Sequence, residues 1–283
     1  MKTVPLQLFS VLLLCILCTF HTSDSYGQLS HPCNTSGFGK NDAAGRYFSI
    51  RGISLYVEQY GKGRPLVMLH GNGGSIESFS CQIPYFETKY HVIAIDSRAQ
   101  GKSHDPSDTL SFDMMADDVS VLLDSLKLDS CFILGWSDGG ITALMLALRH
   151  PEKVRGMAIT GANLKPDNSS INPADLQWME QEYARLGSLS QNPKVRNQRK
   201  LIGLDLMEPA ITADDLNSIH APALIIGGDH DIIPVSHSLL IAQAIKGAYL
   251  WILPNSTHST LIDYPEEFNR TVDRFFNGYL HPE

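Results

Sequence analysis

The stretch Cys131-Phe132-Ile133-Leu134-Gly135-Trp136-Ser137-Asp138-Gly139-Gly140 decides the architecture of this 283-residue chain. A short apolar run reads as a buried strand, and the Ala/Leu/Met-rich segment Ile141–Arg149 that follows reads as a helix. The pattern G-x-S-x-G therefore falls on a strand-to-helix turn, the context in which it carries chemistry. There a serine is held in a strained backbone and points out of the fold. Gly135 and Gly139, lacking Cβ, let neighbouring elements cross closely. The helix start also directs N–H groups and partial positive charge at the same place.

Working outward, Tyr47–Ile50 and Ser54–Gln59 alternate around Arg51-Gly52 and predict an antiparallel pair. Pro65–Leu69, His91–Ile95, Val154–Thr160, Ala223–Ile226 and Ala248–Ile252 read as further strands, with Ser111 capping a helix that runs to about Leu126. Buried strands alternating with helices predict an α/β fold whose mostly parallel central sheet is covered on both faces. The rhythm breaks between residues 163 and 217, where prolines and polar residues flank helices near Pro173–Leu186 and Lys194–Met207, and Thr212 with Asp215 marks a capped turn. Residues 163–217 are therefore expected to be a helical cap inserted into a core made of 28–162 and 218–283. The Lys194, Arg196, Arg199, Lys200 cluster reads as a solvated helical face. Trp178 and Met179 are candidates to line a substrate cavity, or else glue the cap to the core.

A hydroxyl needs a base to become a nucleophile. Asp231 follows the strand ending at Gly228, and His258 follows the strand ending at Leu253, so both fall on the sheet edge that carries Ser137. The order Ser…Asp…His predicts Ser137 as nucleophile, His258 as base and Asp231 as the acid that orients it. Asp229 is expected to bond its own loop, His230 to be exposed, and His70 to be a buried structural histidine. The loop His70-Gly71-Asn72-Gly73-Gly74 predicts that the N–H groups of Asn72 and Asp138 form an oxyanion hole. It lacks the Lys-Ser/Thr of a phosphate loop.

These pieces resemble the α/β-hydrolase family from about Tyr47 to Tyr279: His70-Gly71, Asp96-x-Arg98-x-x-Gly101-x-Ser103, Gly135-Trp-Ser137-Asp-Gly139, Gly228-Asp229-His230-Asp231, and His258 before Pro265-Glu-Glu-Phe268. Ala99 and Gln100 depart from the pattern, which puts that loop's geometry in question. The serine motif with Arg149-His150-Pro151 resembles the valacyclovir-hydrolase-like (biphenyl-hydrolase-like) branch. That resemblance implies an esterase acting on a small ester, thioester, amide or α-amino-acid ester through an acyl-enzyme, with Trp136 and Asp138 at the substrate. Asp138 would then either meet an ammonium group or cap its helix. Lactonase, carbon–carbon bond hydrolase, acyltransferase and non-catalytic binding protein stand as alternatives. Ser at 137 argues against the Asp-nucleophile dehalogenases and epoxide hydrolases.

A net charge of −8 argues against a nucleic-acid partner or an anionic membrane surface. The expected partner is a small ester-like molecule, with no cofactor or metal and a monomer or small homo-oligomer. Lys2 and the apolar run from Leu8 to Phe20 read as a secretory leader, residues 1–27, too short to span a bilayer. A secreted or periplasmic location follows. Of the remaining cysteines, Cys131 reads as core, and Cys33 with Cys81 is the candidate bridge. Sequons stand at Asn34, Asn168, Asn255 and Asn269, and a glycan at Asn255 would crowd His258, which favours a source that does not glycosylate such sites.

Overall fold

The computed structural model describes residue 33, residues 37–189 and residues 191–278. The leader, the Asn34 sequon and Tyr279 lie outside the described residues. Among the described residues eight strands form one sheet: β1 Gly45–Ile50, β2 Ile53–Tyr60, β3 Arg64–Leu69, β4 Tyr90–Ile95, β5 Cys131–Trp136, β6 Val154–Thr160, β7 Ala223–Gly228 and β8 Tyr249–Leu253. Their order is β1-β2-β4-β3-β5-β6-β7-β8. The β1–β2 and β2–β4 pairs are antiparallel and the remaining pairs are parallel. The helices are α1 Ile83–Phe86, α2 Phe112–Ser125, α3 Asp138–Arg149, α4 Pro173–Gly187, α5 Pro193–Met207, α6 Ala213–Leu216, α7 Val235–Ala244, α8 Thr260–Asp263 and α9 Pro265–Phe276.

The strands read as unbroken apolar runs because both faces of the sheet are buried. Along β3 and β5, Val67, Leu69 and Ile133 belong to one apolar layer with Leu122 and Leu123 of α2 and Leu144 of α3. Leu66, Met68, Phe132 and Leu134 face the other layer, with Phe79, Phe86, Phe268 and Phe276. Period-two alternation thus sorts each strand between two cores rather than between core and water. Ser111 Oγ accepts from Met114 N–H at 3.1 Å and starts α2 where expected. Thr212 and Asp215 close a capping box at α6.

The chain runs from β3 to β4 on one side and returns through α2 to β5 on the other. The loops leaving β3 and β5 therefore diverge side by side at a topological switch point, where open α/β sheets place their sites. Between β6 and β7 the chain leaves the core to form α4, α5 and α6, the inserted cap. Its α4 and α5 hold a small apolar cluster of their own, Met179, Leu186 and Ile202.

Local contacts refine several of these expectations. The basic cluster on α5 is not a uniformly solvated face. Lys200 is only 8% exposed and donates to Ser107 O at 2.7 Å beside Asp105, while the Arg199 guanidinium lies 3.8 Å from the centroid of the Tyr183 ring. Lys200 ties the cap to the loop before α2, and Arg199 joins α5 to α4 within the cap. Ala99 takes φ +64, the left-handed conformation that makes glycine usual there, and Asn197 of α5 donates to its carbonyl at 2.8 Å. The departure changes strain rather than shape, by about 1 kcal/mol. Cys33 and Cys81 are joined in a disulfide, and Cys131 is a buried free thiol whose pKa burial pushes up to about 12. The Asn269 sequon is buried at 4% exposure, its side chain donating to Cys81 O at 3.0 Å.

Candidate active site

Ser137 has φ +54 and ψ −118, a region that costs a non-glycine residue of order 1–3 kcal/mol. Its neighbours hold it there. Ser137 N–H donates to Thr160 O on β6 at 2.8 Å, and its own carbonyl accepts from Gly140 and Ile141 at 2.7 and 3.0 Å. The crossing is so tight that a Cβ on Gly139 would fall 1.8 Å from Leu69 O, and one on Gly135 2.4 Å from Gly139 O. These two glycines are therefore obligatory for steric reasons.

The loop after β3 passes directly over this turn: a Cβ on Gly71 would sit 3.1 Å from Ser137 Cβ. Gln100, at the second unusual position of the Asp96 loop, accepts from Gly73 N–H at 2.6 Å and braces the loop from below. Asp96 takes Ile76 and Lys102 N–H groups at 2.8 and 2.7 Å, and burial raises its pKa to about 6. His70 is fully buried, with Nδ1 2.7 Å from Gly71 O and Nε2 accepting from Ser97 N–H at 3.0 Å. Burial lowers its pKa to about 4, so it is a neutral brace. Among the described hydrogen bonds, neither Asn72 N–H nor Asp138 N–H has a protein acceptor.

His258 Nδ1 lies 2.7 Å from Asp231 Oδ1, which also accepts from Ile233 N–H at 3.0 Å. A carboxylate can only accept, so Nδ1 carries the proton in this bond and Nε2 is left with its lone pair free. The second oxygen of Asp231 is buried without a partner. Burial works against charge on His258, yet the Asp231 carboxylate, helped by Asp138 and Asp175, leaves its pKa above the ordinary value. Gly161, with φ +66, cradles the ring: a Cβ there would fall 2.6 Å from Cε1. Trp136 Nε1 donates to His258 O at 2.8 Å, so the residue before Ser137 also fixes the main chain of His258. Asp229 accepts from Ser256 N–H at 3.1 Å, the loop bond expected of it.

The two cap candidates separate. Met179 is 8% exposed inside the cap's own cluster, whereas Trp178 is 42% exposed. Met179 thus packs α4 against α5 within the cap rather than gluing the cap to the core.

Three groups escaped the sequence reading. Asn172, at the start of α4, donates from its main chain to Ile232 O at 2.8 Å and from its side chain to Asp231 O at 3.2 Å. Asp175, one turn on, faces His258 and Asp231; burial first, then Asp231, raises its pKa. Asp205 of α5 lies against Asp138, close enough for the two carboxyls to shift each other's pKa. The only linear signal for Asp205 is a lone carboxylate inside Leu201-Ile-Gly-Leu-Asp-Leu-Met207. Among the described residues no group of three or more His, Cys, Asp or Glu is arranged to hold a metal ion, and no helix is long and apolar enough to cross a membrane.

Residues 64–207 match the family model of the alpha/beta hydrolase fold. The human protein named serine hydrolase BPHL is 31% identical over 245 residues, 80% of this chain and 84% of its own length. The 2-hydroxymuconate semialdehyde hydrolase of Pseudomonas sp. (strain CF600) is 28% identical, covering 82% of this chain and 93% of that protein. Among solved structures, the N-acyl homoserine lactone degrading enzyme Est816 superposes with a TM-score of 0.66 at 27% identity, over 81% of this chain and 100% of its own.

Proposed function

Because the chain belongs to the alpha/beta hydrolase fold family, in the serine-hydrolase branch that BPHL represents, and is thus a hydrolase of small organic substrates, we propose that Ser137, His258 and Asp231 are its catalytic triad and cleave a small ester or lactone. The observation that carries this reading is the 2.7 Å bond from His258 Nδ1 to Asp231, which leaves Nε2 as a base on the rim where the strained Ser137 stands. Ser137 Oγ attacks the carbonyl while His258 Nε2 takes its proton. The Asn72 and Asp138 N–H groups receive the oxyanion, two donors with no competing protein acceptor. His258 then protonates the departing alkoxide, and water activated by the same imidazole frees the acid. Thioesters, amides and α-amino-acid esters fit the same steps.

Within this reading Trp136 shapes the floor beside Ser137, and Asp138 and Trp178 border the substrate space under the cap of residues 163–217. The carboxylates of Asp138, Asp175 and Asp231 make the site electronegative, which favours a neutral or cationic substrate over an anionic one. A second reading, carbon–carbon bond hydrolysis of a diketone, is favoured by the Pseudomonas relative. The names of the relatives lean toward lactone and carbon–carbon substrates more than toward simple esters. The muconate in one of those names denotes a carboxylate-bearing substrate, which this electronegative site would repel. Residues 1–27 are proposed as a cleaved leader and the mature chain as an exported protein, which the Cys33–Cys81 disulfide supports.

A panel of p-nitrophenyl esters, amino-acid esters, N-acyl homoserine lactones and a vinylogous diketone separates these readings. Turnover of esters or lactones by the wild type, abolished in Ser137→Ala with the fold intact, is the expected result. Full activity in that variant overturns the triad, and turnover of the diketone alone selects the second reading. The N-terminal sequence of the exported protein tests the leader.

A further inference from the structure

Asn72 donates its side-chain amide both to Asp138 Oδ2 at 3.0 Å and to Leu201 O of α5 at 3.0 Å. Asp205 lies one turn beyond Leu201 on the same helix face, and its carboxyl meets that of Asp138, which is 1% exposed. The cap helix is thus fastened, by Leu201 and Asp205, to the side chains of the two residues whose main-chain N–H groups are the proposed oxyanion donors.

We propose that Asp205 is a positioning residue: its protonated carboxyl donates to the Asp138 carboxylate and latches α5 over the nucleophile turn. Two buried carboxyls in hydrogen-bond contact cannot both be ionised, so the closed pair keeps one proton. Burial first, then the neighbouring Asp138, holds the Asp205 carboxyl well above its ordinary range, burial lifts Asp138 to about 6, and the Asn72 amide favours the charged form of both. Asp138 Oδ2 already accepts from the Asn72 amide at 3.0 Å and its carboxyl faces His258, so Asp138 is the acceptor and Asp205 the donor. Loss of the shared proton sets two like charges against each other and releases the latch. The other titratable group facing the pair is His258, which interacts with Asp138; Asp175, from α4, faces His258 and Asp231 instead. Of the nearby cations on α5, Lys200 is held at Asp105 and Ser107, and Arg199 at Tyr183.

The pH dependence has two limbs of different origin. Deprotonation of His258 raises activity from the acid side, and loss of the Asp138–Asp205 proton lowers it on the alkaline side. Asp205→Asn keeps a donor toward Asp138 without a titrating proton, so its normalised profile loses the alkaline fall and keeps the acid limb. Asp205→Ala removes the donor and lowers kcat about tenfold at near-neutral pH, the equivalent of one charge-assisted hydrogen bond. An alkaline limb in Asp205→Asn identical to that of the wild type, or full kcat in Asp205→Ala, overturns the proposal.

The latch rests on the proposed hydrolytic reading only through these kinetics. Infrared difference spectra between wild type and Asp205→Asn at near-neutral pH read the proton directly. A protonated-carboxyl C=O stretch present in the wild type and absent in the variant is expected. Its absence from both proteins sinks the latch even where ester turnover stands. Its presence in a wild type that turns over no substrate of the panel sinks the hydrolytic reading alone.

Discussion

The indole of Trp136 and the main chain of His258 are joined by a 2.8 Å hydrogen bond, although 122 residues separate them in sequence. Trp136 also precedes Ser137 at the end of β5. One side chain therefore sets the spacing between the strand that presents the proposed nucleophile and the loop that presents the proposed base. Trp136→Phe keeps most of the apolar surface and removes the donor, a loss of roughly 1 kcal/mol. A fall in kcat/KM of about fivefold is expected with little change in Tm. Unchanged kcat/KM for the best ester of the panel would show that the His258 loop holds itself.

His258 carries a pKa above its ordinary 6.5, because the carboxylates around it outweigh burial. As the proposed base, His258 must be neutral to accept the Ser137 proton. Activity is therefore low while the imidazole is charged and rises with pH through the elevated value. Asp175→Asn removes one of the raising charges, so the acid-limb midpoint of kcat/KM moves to lower pH. A midpoint that stays in place would mean that water screens Asp175 from the ring.

Gly161 occupies the place where any side chain would strike the imidazole. With φ +66 and an added methyl group only 2.6 Å from His258 Cε1, Gly161→Ala combines backbone strain of about 1–2 kcal/mol with displacement of the ring. A misplacement of the base by an ångström costs on the order of a hundredfold in kcat. Steady-state kinetics on the folded variant, checked by circular dichroism, decide it. Wild-type kcat would mean that the ring has room the packing denies.

How much of this was legible in the chain follows from where the information lies. Strand cores announce themselves because both faces are apolar, so β3 to β8 and the Ser137 turn could be placed within a residue or two. Gly135 and Gly139 signal a close crossing by their type alone. Contacts between the cap and the core carry no such mark. Asn172, Asp175 and Asp205 look like ordinary polar residues of surface helices, and only the return of α4 and α5 over the sheet edge turns them toward Asp231, His258 and Asp138. Lys200 misled for the same reason: a lysine in a basic run reads as solvated until Asp105 and Ser107 are brought beside it. The Cys33–Cys81 pairing was likewise a matter of distance in space, which spacing along the chain does not give.

That disulfide closes a loop of 48 residues which contains β1 to β3 and the loop carrying Asn72. In the chain-entropy description, cross-linking a loop of this length stabilises the fold by about 4 kcal/mol by restricting the unfolded chain. The Cys33→Ser, Cys81→Ser double variant is therefore expected to melt many degrees below the wild type, and reductant is expected to lower the wild-type Tm toward it. Catalysis is expected to be less affected. Cys81 lies beyond the segment that Gln100 and Asp96 already hold in place at Gly73 and Ile76. Calorimetry with and without reductant, paired with kcat on the same samples, separates the two effects. A double variant with wild-type Tm would show that the residues between the two cysteines are ordered by packing alone, and a lost kcat at wild-type Tm would move the disulfide's role to the oxyanion loop.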